Sequence, residues 1–132
     1  MTDDFPVVFS YSRAQAMADG VLVDAGTMAH EAGFRVPVAL TSAAWADCVE
    51  WGEDDGVRGA EGQSTEGRLW DVVYMAAHAA RLHKHGGRDR LTFSVMRVPR
   101  KSRRVERVEL VLHIGGGDKG EPVATVMLPG ED

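Results

Sequence analysis

The chain has a single cysteine, Cys48, so no internal disulfide can form. A reduced, cytoplasmic protein is the expectation. No apolar run approaches the roughly 20 residues that a membrane-crossing helix requires. The first residues, MTDDFPVV, are acidic and lack the basic lead and long apolar stretch of a secretory signal. There is no internal repeat, no low-complexity segment and no H-E-x-x-H motif. One cysteine also excludes a thiolate metal cage built by this chain alone. No metal, cofactor or catalytic residue is predicted, and the reading leans away from an enzyme.

What is present describes an ordinary folded domain. At 132 residues the chain has room for one core, and residues 1–132 are read as a single domain. A chain of this size buries about two-thirds of its unfolded surface, enough for stability without disulfides or metals. The net charge of −5 argues against general nucleic-acid binding, but the charges are segregated along the chain. Glu50, Glu53, Asp54, Asp55, Glu61 and Glu66 face only Arg58 in their stretch. Arg88, Arg90, Arg97, Arg100, Lys101, Arg103, Arg104 and Arg107 face only Asp89 and Glu106. Such asymmetry points to a partner more than to a substrate.

The period of the hydrophobic pattern changes partway along. FPVVFS, residues 5–10, reads as a strand or an extended lead-in. In YSRAQAMADGVLVDAG, Ser12 and Gln15 match a capping box and Gly20 a left-handed stop, followed by a short strand VLVD. GTMAHEAGF predicts a small helix with Thr27 as cap and Gly33 as stop. RVPVALT contains Pro37, which cannot donate to a ladder, so it reads as an edge strand or none. TSAAWADCVEW predicts a helix capped by Thr41 or Ser42. Residues 52–67, with five glycines and five acids, read as a mobile acidic loop. The strongest helix is predicted over Arg68–His83, with Leu69, Val72, Val73, Met75, Ala76, Ala79, Ala80 and Leu82 as its apolar stripe and Gly86-Gly87 as its end. From Leu91 onward alternation takes over, predicting three strands in an antiparallel meander joined by PRKSRR and GGGDKGEP. The fold class is therefore α+β. A small antiparallel sheet, the C-terminal meander extended by N-terminal strands, packs against one long helix and two or three short ones.

Several features that resemble sites have simpler explanations. His78 and His83 are five apart, about 140° out of register on a helix, and His83 and His85 suit a helix C-terminus. HIGGGDKGEP matches neither phosphate-binding glycine pattern, because a strand and not a helix follows it; it reads as a hairpin turn. Cys48 lies on an apolar helix face and reads as a small buried hydrophobe. Two surfaces remain as partner-binding candidates. One is basic: Arg97, Arg100, Lys101, Arg103, Arg104 and Arg107, without the interleaved aromatics of a single-strand binder. The other is acidic: Glu53, Asp54, Asp55 and Glu61. A pocket at the N-terminal helix–strand turn, lined by Tyr11, Arg13, Gln15, Asp19 and Asp24, is the alternative.

YSRAQAMADGVLVD, EAGFRVPVALTSAAWADCVEW, GRLWDVVYMAAHAARL and GEPVATVMLPGED together resemble a domain of unknown function found in small proteins of bacterial plasmids, integrative elements and phages. The likeness covers most of the chain, with the central acidic loop as its variable part. The family has no assigned catalytic residues, so it supplies none here. What the resemblance implies is a setting: accessory genes of mobile elements, where anti-restriction and anti-CRISPR inhibitors are common. The expected function is thus a non-enzymatic protein that binds a host protein or ribonucleoprotein complex, with direct nucleic-acid contact or a homodimer also open. The alternative is a small-molecule or nucleotide-binding protein using the N-terminal pocket.

Overall fold

The structure, a computed structural model, describes residues 11–58, 62–83 and 89–131. The lead-in at residues 5–10, Glu61, His85 and the Gly86-Gly87 stop lie outside the described residues. In chain order the elements are α1 (Arg13–Ala18), β1 (Leu22–Asp24), α2 (Thr27–Ala32), β2 (Val38–Thr41), α3 (Ser42–Cys48), a 3-10 turn (Glu53–Asp55), α4 (Thr65–Leu82), β3 (Arg90–Arg97), β4 (Glu106–Gly116) and β5 (Pro122–Met127). The fold is α+β, and its C-terminal strands form the expected meander.

The sheet has five strands in the order β1-β2-β5-β4-β3. It is mixed and not purely antiparallel, because β2 and β5 run parallel, with Val38 opposite Ala124 and Leu40 opposite Val126. Nor is β2 an edge strand. Pro37 stands one residue before it, where its missing N–H costs nothing and its carbonyl accepts the Ala124 N–H at 2.9 Å.

Alternation then sorts the side chains. Phe93, Val95, Leu110, Leu112, Ala124, Val126, Val38 and Leu40 point to one face and join the core. Leu69, Val72, Val73, Ala76 and Ala77 of α4 cover them, with Ala29 and Ala32 of α2 and Ala44 and Cys48 of α3. Leu82, expected in the apolar stripe, is exposed at the helix end. The opposite face buries a smaller group, including Val111, Val123, Thr125 and Met127.

The helix ends show why these segments fold where they do. Ser12 and Gln15 form the predicted capping box, and Thr41 caps α3 by accepting the Ala44 N–H at 3.1 Å. The α2 cap is Gly26 and not Thr27; Asp24 fixes that turn by accepting the Gly26 N–H at 2.9 Å. Gly33 ends α2 at φ 119, a left-handed conformation that a side chain would strain. The long helix begins three residues earlier than predicted because Ser64 accepts the Gly67 N–H at 3.0 Å.

Cys48 is buried in the core. Burial first, and then the neighbouring Asp47 carboxylate, push its thiol up to about 11 from 9.0. The unfolded chain therefore loses this proton at lower pH than the folded one. The thiol contributes stability that is intact below pH 9 and is lost as pH rises through 9 toward about 11. The loss due to this group is expected to be on the order of 2 kcal/mol. Urea titrations of the native protein and Cys48→Ala across that range should diverge by this amount; parallel curves would show that the thiol ionises as freely folded as unfolded.

Candidate functional site

The structure neutralises part of the basic segment. Arg97 lies between two carboxylates, with Nη2 2.6 Å from Asp47 and Nη1 3.2 Å from Glu106. Arg100 is 3.4 Å from Glu50. These two cations hold the end of β3 to α3 and the residues after it. The basic and acidic stretches also touch, since the Lys101 N–H donates to the Asp55 carbonyl at 2.7 Å. That bond helps to hold Lys101 at φ 62, the third position of a tight turn closed by Ser102 N–H to the Pro99 carbonyl at 3.1 Å.

Four cations remain. Lys101, Arg103, Arg104 and Arg107 are exposed, and among the described residues none has a carboxylate within salt-bridge distance. Arg107 instead rests its Nε on the Ser94 hydroxyl at 3.1 Å. Of the acidic candidates, Asp55 accepts the Gly52 N–H at 2.7 Å, closing the 3-10 turn that also contains Glu53 and Asp54.

The N-terminal pocket residues separate. Tyr11 and Arg13 line a cleft of about 610 Å³ on the second sheet face, together with Thr41, Arg90, His113 and Thr125. Gln15 turns back to accept the Ser12 N–H at 3.2 Å, and Asp24 caps its own turn. Asp19 accepts the Tyr11 hydroxyl at 2.6 Å, a bond that holds the phenol proton on and raises the Tyr11 pKa. Arg13 spans from α1 to β5, donating to Thr125 Oγ1 and the Ala124 carbonyl, both at 2.8 Å. Burial lowers its ionisation, opposed by Asp118, Asp24 and Glu121. Asp118, in the β4–β5 turn, accepts the Arg13 and Ala14 N–H groups at 2.7 and 3.0 Å, which hold its carboxyl below the usual range.

Three features were not anticipated. Asp118 is one, since its helix partner lies more than a hundred residues away. Arg68 is another: it is only 3% exposed and has no carboxylate partner among the described residues. Its Nε donates to the Val49 carbonyl at 3.1 Å, and Nη1 to the Val98 carbonyl at 2.7 Å and Gln63 at 3.2 Å. Its guanidinium carbon lies 4.8 Å from the centre of the Trp51 ring. Burial lowers its ionisation. Arg68 thus ties together the ends of α3 and β3 and the start of α4. The third is an apolar groove beside α4, whose only sequence signal was the i, i+4 pair Trp70 and Tyr74 on an otherwise polar helix face.

Among the described residues no three His, Cys, Asp or Glu side chains converge as metal ligands would. No described helix is long and apolar enough to cross a membrane.

Fold and surface together define an α+β protein with a five-stranded mixed sheet and an exposed basic loop between its last-ordered strands, β4 and β3. The chain belongs to DUF6573, a family of unknown function, whose model matches residues 2–132. No curated protein and no solved structure matches it.

Proposed function

We propose that this chain is a non-enzymatic accessory protein that binds a host macromolecule through the β3–β4 loop. One observation carries the reading: Lys101, Arg103, Arg104 and Arg107 stand exposed within seven residues on a protein of net charge −5. Among the described residues they lack the carboxylates that occupy Arg97 and Arg100. A concentrated cationic patch on an acidic protein is suited to steering toward, and gripping, an acidic surface. The mobile-element setting implied by the sequence resemblance makes bacterial defence machinery the target class, as an anti-CRISPR or anti-restriction inhibitor.

The test is transformation of a targeted plasmid into cells carrying an active CRISPR or restriction system. The native protein is expected to raise transformation efficiency. A variant with Lys101, Arg103, Arg104 and Arg107 all changed to Glu should lose at least about tenfold of that effect, about 1.4 kcal/mol of binding, with an unchanged thermal melt. Equal protection by the two proteins would sink the reading. A second reading, a nucleotide or small-molecule binder, draws on the cleft that joins Arg13, Arg90 and His113. It predicts that ATP or GTP shifts the melting temperature of the same native protein, and no shift with either refutes it for nucleotides.

A further inference from the structure

Helix α4 lies over β3, and β3 ends the sheet. Between them is a groove of about 410 Å³ lined by Asp71, Tyr74, Met75, Ser94, Val95 and Met96. Large aromatic side chains stand exposed at its border: Trp70 is 37% exposed and Tyr74 47%. The aromatic pair is self-supporting, with ring centres 5.8 Å apart, and leaves its outer surface to water.

The strand beside the groove has free backbone groups. The Ile114 N–H donates to the Asp89 carbonyl at 2.7 Å, which makes 89 and 114 a hydrogen-bonded pair. Antiparallel alternation then gives the same status to Leu91 with Leu112, Phe93 with Leu110 and Val95 with Val108. Thr92, Ser94 and Met96 must direct their N–H and C=O groups away from β4, to an edge that no described strand covers. An exposed edge with an apolar groove on one side is a template for an added strand.

Charge selects the occupant. On the face opposite α4, Arg107 is registered against Met96 and rests on Ser94, next to Glu109, and the exposed Arg103 and Arg104 lie in the loop that leads into β4. Two copies paired antiparallel about Ser94 would bring their Arg107 guanidiniums together, so a second copy is the poorer fit. An added strand would place alternate side chains in the groove and beside these cations. At the groove itself Asp71, whose carboxyl burial pushes upward, favours a hydrogen-bond donor over another acid.

We infer that the β3 edge, between the Trp70–Tyr74 pair and Arg107, binds an extended segment of a protein partner by strand addition, the segment alternating apolar and acidic side chains. This rests on the partner-binding reading above and specifies how the partner docks.

The probe is a capped synthetic strand of alternating valine and glutamate, titrated into the isotope-labelled full chain and followed by NMR. The expected perturbations fall on the Thr92, Ser94 and Met96 amides and on the Tyr74 and Trp70 side chains. A valine–lysine counterpart should bind at least about tenfold more weakly. Ser94→Pro removes an outward N–H without removing a ladder bond and should weaken binding to a similar degree. If that variant does not fold, Tyr74→Ala at an exposed position gives the same reading. Equal binding of the lysine strand, or shifts confined to residues 101–107, would overturn the inference. So would a single-stranded oligonucleotide that binds while the peptide does not. Loss of cellular protection on charge reversal, with β3 untouched by the peptide, would leave the partner-binding reading standing and remove the strand-addition one.

Discussion

Arg68→Ala is expected to lower the unfolding free energy by about 3–5 kcal/mol, read as a fall in the urea midpoint at unchanged slope. The substitution withdraws the donors that satisfy the Val49 and Val98 carbonyls and leaves Gln63 without its contact. Each buried group left unpaired costs about 1–3 kcal/mol, and the stacking on Trp51 is lost as well. Relief from holding a desolvated cation offsets part of this. Arg68→Met separates the terms, since it keeps much of the volume and discards the charge. It is expected to fall between the native protein and Arg68→Ala. Arg68→Lys should rescue little, because a single ammonium cannot reproduce a planar fork directed at several acceptors. A loss below about 1 kcal/mol for Arg68→Ala would mean that the three elements are held together by something else.

The second large effect is expected at Leu112. This residue is fully buried in β4, opposite Leu91 on one side and Val126 on the other, beneath the helices. Leu112→Ala should cost about 3–4 kcal/mol, the transfer term plus that of a cavity that flanking strands cannot close. Val105→Ala, at an exposed loop position, should stay within about 0.5 kcal/mol and serves as the control. Comparable losses at the two sites would contradict the assignment of faces in the sheet.

Local structure was readable wherever its cause lay within a few residues. Ser12 and Gln15, Gly33 and the alternation from Leu91 to Leu128 each act on near neighbours, and each appears in the fold as read. The parallel pairing of β2 with β5 was not readable, because Val38 and Ala124 carry no mark of one another and Pro37 argued for an edge. The same distance in sequence hid the charge pairing. Arg97 looked like part of a free basic run, yet its nearest acid is Asp47, fifty residues earlier. Arg68 looked like the polar start of a helix, and only the convergence of Val49, Val98 and Trp51 around it reveals an interior cation. Arg13 was read only as part of a pocket lining, because its partners, Thr125 and the Ala124 carbonyl, lie more than a hundred residues away.

The middle place of β5 sets an order on synthesis. Strands β1 and β2 leave the ribosome early, but β2 must wait for residues 122–127 before its second edge is covered. Until then the first half of the sheet and the β3–β4 hairpin are two pieces with open edges and no strand between them. A chain stopped before Pro122 would leave the facing edges of β2 and β4 uncovered, joined only through the helices, and open to pairing with the wrong partner.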